Sequence, residues 1–198
     1  MLAAAGWRGT PDAGGALHDP CCGSGTIAIE AAQIACGIAP GLKRRFAFER
    51  LLPFATPPMR ALMQRLKSQA QARIHAPAVP ISASDVSFRM LDFARRNAQR
   101  AGVAPASDFH GGDALGRPAP VLPPQLHGTL MLNPPYGERI EVAGKAARPS
   151  AEDRDTPSDF FPRLASHWKR AYTQHPAGWT AWVLSPDMKL PGAMRLKA

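Results

Sequence analysis

Short apolar runs alternate along the chain with longer segments in which apolar residues recur every three or four positions. The short runs predict five β-strands, at residues 17–19, 80–85, 107–110, 128–132 and 180–185. The longer segments predict four helices, at residues 26–35, 59–74, 88–101 and 160–172. Strands that alternate with helices are typical of a mostly parallel sheet with helices on both faces. The hydrophobic pattern therefore predicts an α/β fold.

Polar residues end or follow four of the predicted strands. These residues are Asp19, Asp85, Asp113 and Asn133. The carboxyl ends of parallel strands lie along one edge of a sheet, and ligands bind in the crevice outside that edge. We therefore expect the four side chains to converge on one crevice.

Residues 38–80 interrupt the alternation of strands and helices. They contain six prolines and one amphipathic helix, and eight Lys and Arg residues face a single acid, Glu49. This insertion supplies seven of the nine net positive charges of the chain. A basic patch favours association with a polyanion, most commonly nucleic acid, although a solvated helical face is the alternative interpretation. A second irregular segment, residues 137–158, is polar without periodicity and predicts a mobile loop.

The composition sets bounds on the class of protein. A chain of 198 residues with 45% hydrophobic and 20% charged residues is typical of a soluble globular domain. The chain has no apolar run long enough to span a membrane and no signal-peptide pattern at its start. Its three cysteines, Cys21, Cys22 and Cys36, are an odd number and two are adjacent, which favours a reducing, cytoplasmic setting. No Cys or His cluster has metal-ligand spacing, so the sequence predicts no metal.

The segment between the first strand and the first helix has the sequence DPCCGSGT, at residues 19–26. Gly23 and Gly25 allow the backbone to turn sharply and a ligand to approach closely. The helix that begins at Thr26 presents free N–H groups at the same place. A phosphate-binding loop would need a Lys after the glycines, which is missing here. The turn therefore predicts a nucleoside-binding site, with a plain strand–helix turn as the alternative.

Two carboxylates support the prediction that this site binds a nucleoside. Asp85, at the end of the second strand, is placed to accept hydrogen bonds from both hydroxyls of a ribose. It follows Gly25 by 60 residues, and the insertion accounts for a spacing longer than the usual value of about 20. Asp113 is placed to accept a hydrogen bond from an adenine amino group, although an Asp after two glycines is also a common turn residue.

The fourth strand runs into Asn133, Pro134, Pro135 and Tyr136. An amine attached to an aromatic ring is a poor nucleophile because its lone pair is delocalised. The side-chain oxygen of Asn133 and the carbonyl oxygen of Pro134 are placed to accept both amine hydrogens, and the prolines hold these acceptors rigidly. Tyr136 offers a face on which a base can stack. The motif predicts methyl transfer to a planar nitrogen by direct in-line attack, with a rigid Pro-Pro turn as the alternative.

These segments resemble a known family. Residues 19–26, with residues 29–32 behind them, resemble the cofactor motif of the THUMP-associated class I RNA methyltransferases, and within them the bacterial 23S rRNA guanine-N2 methyltransferases. The family usually has Met where Cys21 stands, whereas Cys22 matches. Residues 44–50 resemble its insertion, and Ser84 and Asp85, with the helix through Asn97, resemble its ribose-binding segment. Residues 133–139 resemble its catalytic motif.

The resemblance implies a Rossmann-like class I methyltransferase fold and methylation of a guanine N2 in 23S rRNA, with S-adenosyl-L-methionine as donor. The target base would leave its stack to reach Asn133, and the insertion would help to hold the RNA backbone. The implied catalytic residues are Asn133, Pro134, Pro135 and Tyr136. The implied cofactor-binding residues are Asp19, Cys22, Gly23, Gly25, Thr26, Asp85 and Asp113.

The family also has segments with no counterpart in this chain. They are a THUMP RNA-binding domain, a strand and helix before Asp19, and further elements after the fifth strand. The resemblance thus implies a partial methyltransferase domain over residues 1–198, truncated at both ends, with weak cofactor binding and low activity. Three alternatives remain open: methylation of adenine N6 in DNA or RNA, methylation of a protein glutamine at N5, and a non-catalytic remnant that only binds RNA.

Overall fold

The computed structural model describes residues 1–134, 160–185 and 189–194. A five-stranded sheet lies at its centre, formed by β1 (Ala16–Asp19), β2 (Ile81–Asp85), β3 (Asp108–Gly111), β4 (Gly128–Leu132) and β5 (Trp179–Val183). The spatial order is β3-β2-β1-β4-β5, and every neighbouring pair is parallel. The chain therefore adds β2 and β3 on one side of β1 and then crosses back, so that β4 and β5 lie on the other side of β1. The predicted parallel α/β fold is confirmed.

The helices within the described residues are α1 (Thr26–Ala35), α2 (Pro57–Gln71), α3 (Phe88–Ala101), α4 (Phe160–Ala171) and the short α5 (Leu190–Met194). Short 3₁₀ turns occur at Ala47–Arg50, Leu52–Phe54 and Ala104–Ala106. The bounds of α3 match the prediction because both ends are marked chemically. Ser87 Oγ accepts a hydrogen bond from the Met90 N–H at 3.4 Å, and Gly102 ends the helix with a φ of 81°.

The core consists of two apolar clusters, one on each face of the sheet. Helices α1 and α3 cover one face, where Leu17 of β1 packs with Ala28 and Leu91. Helix α4 covers the other face, where Leu130 of β4 packs with Leu164. The sheet is thus covered by helices on both faces, as predicted from the alternation of strands and helices in the sequence.

The first fifteen residues add to the first cluster, which the sequence did not predict. Trp7 is buried, and its indole N–H donates to the carbonyl oxygen of Gly15 at 3.1 Å. A Cβ added to Gly14 would lie 2.2 Å from the Trp7 ring, so a glycine is needed beneath this tryptophan. Thr129 Oγ1 then donates to the Gly14 carbonyl oxygen at 2.6 Å, which ties the segment to β4.

The basic insertion leaves the fold at the amino edge of the sheet. We call residues 37–75 the basic arm. The His75 N–H donates to the carbonyl oxygen of Cys36 at 3.0 Å, so the two ends of the arm meet where α1 ends. Lys43 of the arm lies against Gly102, at the end of α3. Since α1 and α3 each run back from the carboxyl edge, both helices end at the amino edge.

Candidate functional site

The turn that follows β1 is closed by backbone hydrogen bonds. The Cys22 N–H donates to the carbonyl oxygen of Ser84 in β2 at 2.9 Å, and the Gly25 N–H donates to that of Cys22 at 2.8 Å. Asp19 is almost fully buried, and its Oδ1 accepts from the Cys21 N–H at 3.2 Å. The chain is therefore held in one path between β1 and α1.

The two glycines of the turn have different roles. Both have left-handed backbones, with φ of 53° at Gly23 and 86° at Gly25. A Cβ on Gly25 would lie 3.0 Å from the Ala94 Cβ and 3.2 Å from the Phe109 ring, so this glycine lets α1 pack closely against its neighbours. A Cβ on Gly23 would meet no atom within 4 Å. Gly23 therefore faces open space that a ligand can enter, while Thr26 is exposed at the start of α1.

Asp85 braces this turn from the neighbouring strand. Its Oδ2 accepts from the Gly23 N–H at 2.8 Å, and its Oδ1 accepts from the Ser87 N–H at 2.8 Å. Each carboxylate oxygen has a second acceptor site, so the predicted ribose contacts remain sterically and chemically compatible with this bracing. The sequence did not predict the brace, because Gly23 and Asp85 are 62 positions apart. The ribose role of Asp85 stays a prediction.

A second brace comes from α3. The Asn97 Nδ2 donates to the carbonyl oxygen of Ser24 at 2.9 Å. Arg100 in turn donates to the Asn97 side-chain oxygen, which fixes the orientation of the amide. The turn is thus held by β2 on one side and by α3 on the other, before any ligand arrives.

Asp113 lies two residues beyond β3 on the same edge. Its Oδ1 accepts from the Leu115 N–H at 2.9 Å, and its carbonyl oxygen accepts from the Gly116 N–H at 3.1 Å. These contacts make it a turn residue in this structure. The Gly112 N–H donates to the Asp85 carbonyl oxygen at 3.1 Å, so the loop runs directly beside Asp85. The predicted adenine contact of Asp113 stays a prediction.

Asn133 emerges beside the glycine turn. Leu17 in β1 lies opposite Ile81 in β2 on one side and opposite Thr129 in β4 on the other. The turn after β1 and the residue after β4 therefore leave adjacent parallel strands at the point where the strand order reverses, which is where such sheets bind ligands. Asn133 is exposed at this position.

Pro134 is buried directly behind Asn133. A buried proline with a fixed φ anchors the start of the motif against the protein. The predicted stacking residue Tyr136, its neighbour Pro135 and the predicted loop at 137–158 lie outside the described residues.

Burial changes the protonation of groups around the turn. It raises the pKa of Asp19 to about 7, and the nearby Asp85 carboxylate acts in the same direction. Burial also raises the pKa of the Cys21 and Cys22 thiols. Because a thiolate is the reactive form of cysteine, the buried Cys22 thiol is a packing group rather than a nucleophile. The predicted cofactor contact of Cys22 stays a prediction.

The described residues include no group of three or more His, Cys, Asp or Glu side chains that could hold a metal ion. In the same part of the chain, no helix has the length and apolar character that crossing a membrane requires.

The chain is similar to known proteins along its whole length. It matches the family described as "RMKL-like, methyltransferase domain" over residues 1–198. It is 35% identical to a ribosomal RNA large subunit methyltransferase K/L of Shewanella sp. (strain ANA-3) and 36% identical to that of Shewanella loihica. Each alignment covers 100% of this chain and 25% of the relative, so the chain spans about a quarter of the length of these relatives.

Solved structures agree with the fold. The SMU.472 protein, solved in complex with SAH, aligns with a TM-score of 0.76 and 27% identity over 100% of this chain and 45% of its own. A predicted N6-adenine-specific DNA methylase from Listeria monocytogenes aligns with a TM-score of 0.71 and 25% identity, over 96% of this chain and 43% of its own. With a parallel sheet of this order, a glycine turn after β1 and a family match over its full length, the chain belongs to the RMKL-like methyltransferase domain family.

Proposed function

We propose that this chain transfers a methyl group from S-adenosyl-L-methionine to the exocyclic N2 of a guanine in large-subunit ribosomal RNA. The observation that carries the proposal is the position of the glycine turn and Asn133 on adjacent strands at the switch point of the sheet. The names of the relatives, which are ribosomal RNA methyltransferases, support the substrate class. On this proposal the reaction would take place in the cytoplasm.

The cofactor would lie over the open space at Gly23, with its methionine part near the start of α1. Asp85 would accept from the ribose hydroxyls and Asp113 from the adenine amino group. Because Asp85 and Asn97 already hold the turn, little ordering would be needed when the cofactor binds. A rigid turn therefore supports affinity by lowering the entropic cost of binding.

At the acceptor side, the Asn133 side-chain oxygen and the Pro134 carbonyl oxygen would accept hydrogen bonds from the guanine amine. This removes the amine lone pair from conjugation, so the nitrogen can attack the methyl carbon. The new N–C bond forms as the C–S bond breaks, and the bonding electrons pass to sulfur to give S-adenosylhomocysteine. The nitrogen then releases a proton to solvent. Pro135 and Tyr136 would stiffen the motif and stack on the base.

Methyl transfer from tritiated cofactor to unmodified 23S rRNA tests the proposal, with mass analysis of the nucleosides after digestion. We expect N2-methylguanosine, and we expect Asn133→Ala to lower kcat by about 100- to 1,000-fold while cofactor affinity changes less than about twofold. Asn97→Ala is the matched control, since it removes the other asparagine of the chain. That variant should weaken cofactor binding through the Ser24 carbonyl and leave kcat nearly unchanged. Equal activity of wild type and Asn133→Ala would contradict a chemical role for Asn133.

Adenine N6 is the second candidate acceptor, since the Listeria monocytogenes protein of similar fold is named an N6-adenine-specific methylase. The same clamp accepts any planar amine, so the product decides between the two. N6-methyladenosine in the digest would favour this candidate. The basic insertion favours nucleic acid over a protein glutamine. RNA binding without any methylated nucleoside would indicate the non-catalytic remnant.

A further inference from the structure

The basic arm, residues 37–75, contributes little to the apolar core, since Ile38 at its start is its one hydrophobic residue described as packing against a core cluster. Every residue from 37 to 78 is described and none of them is buried. The arm keeps its shape through its own contacts, since the Phe48 ring lies 5.5 Å from Phe46 and 5.1 Å from Phe54 between ring centres. Leu51 and Leu52 remain 56% and 87% exposed. Packing against the core therefore accounts for Ile38 but not for the charged residues that follow it in the arm.

The charge of the arm points to the chemistry of its partner. Its eight Lys and Arg residues are opposed by one acid, Glu49, and that acid is paired with Lys67 at 3.1 Å. Arg44, Arg45 and Arg60 are exposed. A second copy of the chain would carry the same charge and be repelled, whereas a polyanion would be attracted over a distance of about 10 Å.

The position of the arm separates it from the active edge. Its two ends meet at the end of α1 and the approach to β2, and Lys43 lies at the end of α3. These points mark the amino edge, whereas Gly23 and Asn133 follow the carboxyl ends of β1 and β4. A strand of five residues spans about 15 Å. A nucleotide held at Asn133 therefore lies at least the length of a strand away from the points where the arm is attached.

We propose that the basic arm is a second RNA-docking surface, which binds backbone phosphates of the substrate several nucleotides away from the methylated base. The proposal rests on the proposed function for the identity of the polyanion. Arginine side chains together with the exposed Phe48 ring suit RNA that is partly single-stranded, because a base can stack where phosphates are held. The arm would supply affinity, and the carboxyl edge would supply chemistry.

The test compares two double variants of the same charge. Arg44→Gln/Arg45→Gln changes the arm, and Arg96→Gln/Arg170→Gln changes two exposed arginines on α3 and α4. Binding of an rRNA fragment is measured by filter retention over a range of salt concentrations. We expect the arm variant to lose about 10-fold in affinity near 0.1 M salt, with a salt slope smaller by about 1.4. The control should lose less than about twofold.

RNA length provides the second readout. On an oligonucleotide that has the target base and only two nucleotides on each side, the arm variant and the wild type should bind and react alike. On the long fragment, the arm variant should show a raised KM with an unchanged kcat. Equal losses on both lengths would place these arginines at the active edge and overturn the proposal. Equal losses by the control variant would also overturn the proposal. Unchanged RNA affinity of the arm variant would overturn it as well, and would leave an acidic protein as the partner of the arm.

The readouts separate this proposal from the proposed function. RNA binding is measured without cofactor, so the arm can be confirmed even if no methyl group is transferred. Conversely, a methylated product with an inert arm would retain the proposed function and reject the docking surface. Thermal unfolding serves as a check on folding, and we expect no change because the arm is unburied.

Discussion

The two edges of the sheet differ in how their residues are held. At the carboxyl edge, Asp85 and Asn97 fix the glycine turn by side-chain hydrogen bonds to its backbone, and Asp19 is buried beneath it. At the amino edge, the basic arm is unburied and one ion pair, between Lys67 and Glu49, is described within it. A reaction needs acceptors held in place before the substrate arrives. Long-range attraction needs only accessible charge, so an exposed and loosely packed segment is sufficient for it.

The largest expected difference between the two edges is in how the free energy of unfolding depends on pH, because the ionisable residues His18 and Asp19 are buried near the carboxyl edge. Burial lowers the pKa of His18 from 6.5 to about 4, whereas it raises the pKa of Asp19 from 3.8 to about 7. As pH falls, His18 is protonated in the unfolded chain at a higher pH than in the folded chain. The His18 contribution to stability is therefore lost as pH falls from 6.5 towards 4. The folded chain holds the Asp19 proton longer, so the Asp19 contribution is lost as pH rises from 3.8 towards 7.

These two contributions oppose each other in the wild type between pH 4 and 6.5. Asp19→Asn removes the Asp19 contribution and leaves that of His18. We therefore expect the free energy of unfolding of the variant to rise by about 3 kcal/mol as pH increases from 4 to 6.5. The wild-type free energy should change much less. Urea denaturation at several pH values measures both profiles. Parallel profiles for the two proteins would show that Asp19 does not titrate in this range.

The two glycines of the turn test whether packing and ligand access are separate. Gly25→Ala places a Cβ 3.0 Å from the Ala94 Cβ with a left-handed backbone, so we expect a loss of about 2–3 kcal/mol in unfolding free energy. Gly23→Ala meets no neighbour, so its loss should be about 1 kcal/mol, from backbone strain alone.

Cofactor titration completes this comparison. The added methyl of Gly23→Ala enters the open space over the turn, so it should weaken cofactor binding at least 10-fold despite the smaller loss of stability. Equal stability losses for the two variants, or normal cofactor binding by Gly23→Ala, would contradict the assignment of separate roles.

Asp85→Asn tests the brace on the turn. The amide keeps one oxygen as an acceptor but turns an NH₂ group toward one of the two backbone N–H donors, of Gly23 or Ser87. We expect a loss of about 1–2 kcal/mol in unfolding free energy, since a charge-assisted hydrogen bond is lost. Chemical denaturation measures it. Asp113→Asn is the control, because Asp113 makes only a local turn contact among the hydrogen bonds described, and its cost should be smaller.

The smallest effect on stability is expected in the arm. Arg44→Gln/Arg45→Gln should change the unfolding free energy by less than about 0.5 kcal/mol, because exposed charges contribute little. Denaturant titration alongside Asp85→Asn gives the comparison directly. A loss in the arm as large as that of Asp85→Asn would show that the arm supports the fold, and the contrast between the two edges would fail.

Some elements were predicted closely because their ends are marked locally. The bounds of α1, α3 and β4 match their predictions, and Gly102 and Gly37 follow the ends of α3 and α1 with left-handed backbones. Helix α2 begins at Pro57 rather than residue 59, since proline fits the first turn of a helix, and it ends at Gln71 rather than residue 74. Helix α4 and strand β5 differ from their predicted ends by one or two residues.

Other features had no local signal. The packing of Trp7 over Gly14 depends on a neighbour seven positions away, and no periodic pattern marks it. The hydrogen bonds from the Gly23 N–H to Asp85 and from the Asn97 amide to Ser24 join segments more than sixty residues apart. The His18 and Asp19 pKa values also depend on burial, which is a property of the assembled fold.

The sequence by itself determined the strands, the helices and the residues that follow each strand, because hydrophobic periodicity and glycine caps act over a few positions. It therefore also determined which chemical groups stand at strand ends. Only the tertiary structure decided that β4 lies beside β1, that Asp85 holds the turn, and that the basic arm is attached at the other edge. Strand order and burial arise from contacts between distant segments, and those contacts form only when the whole sheet is assembled.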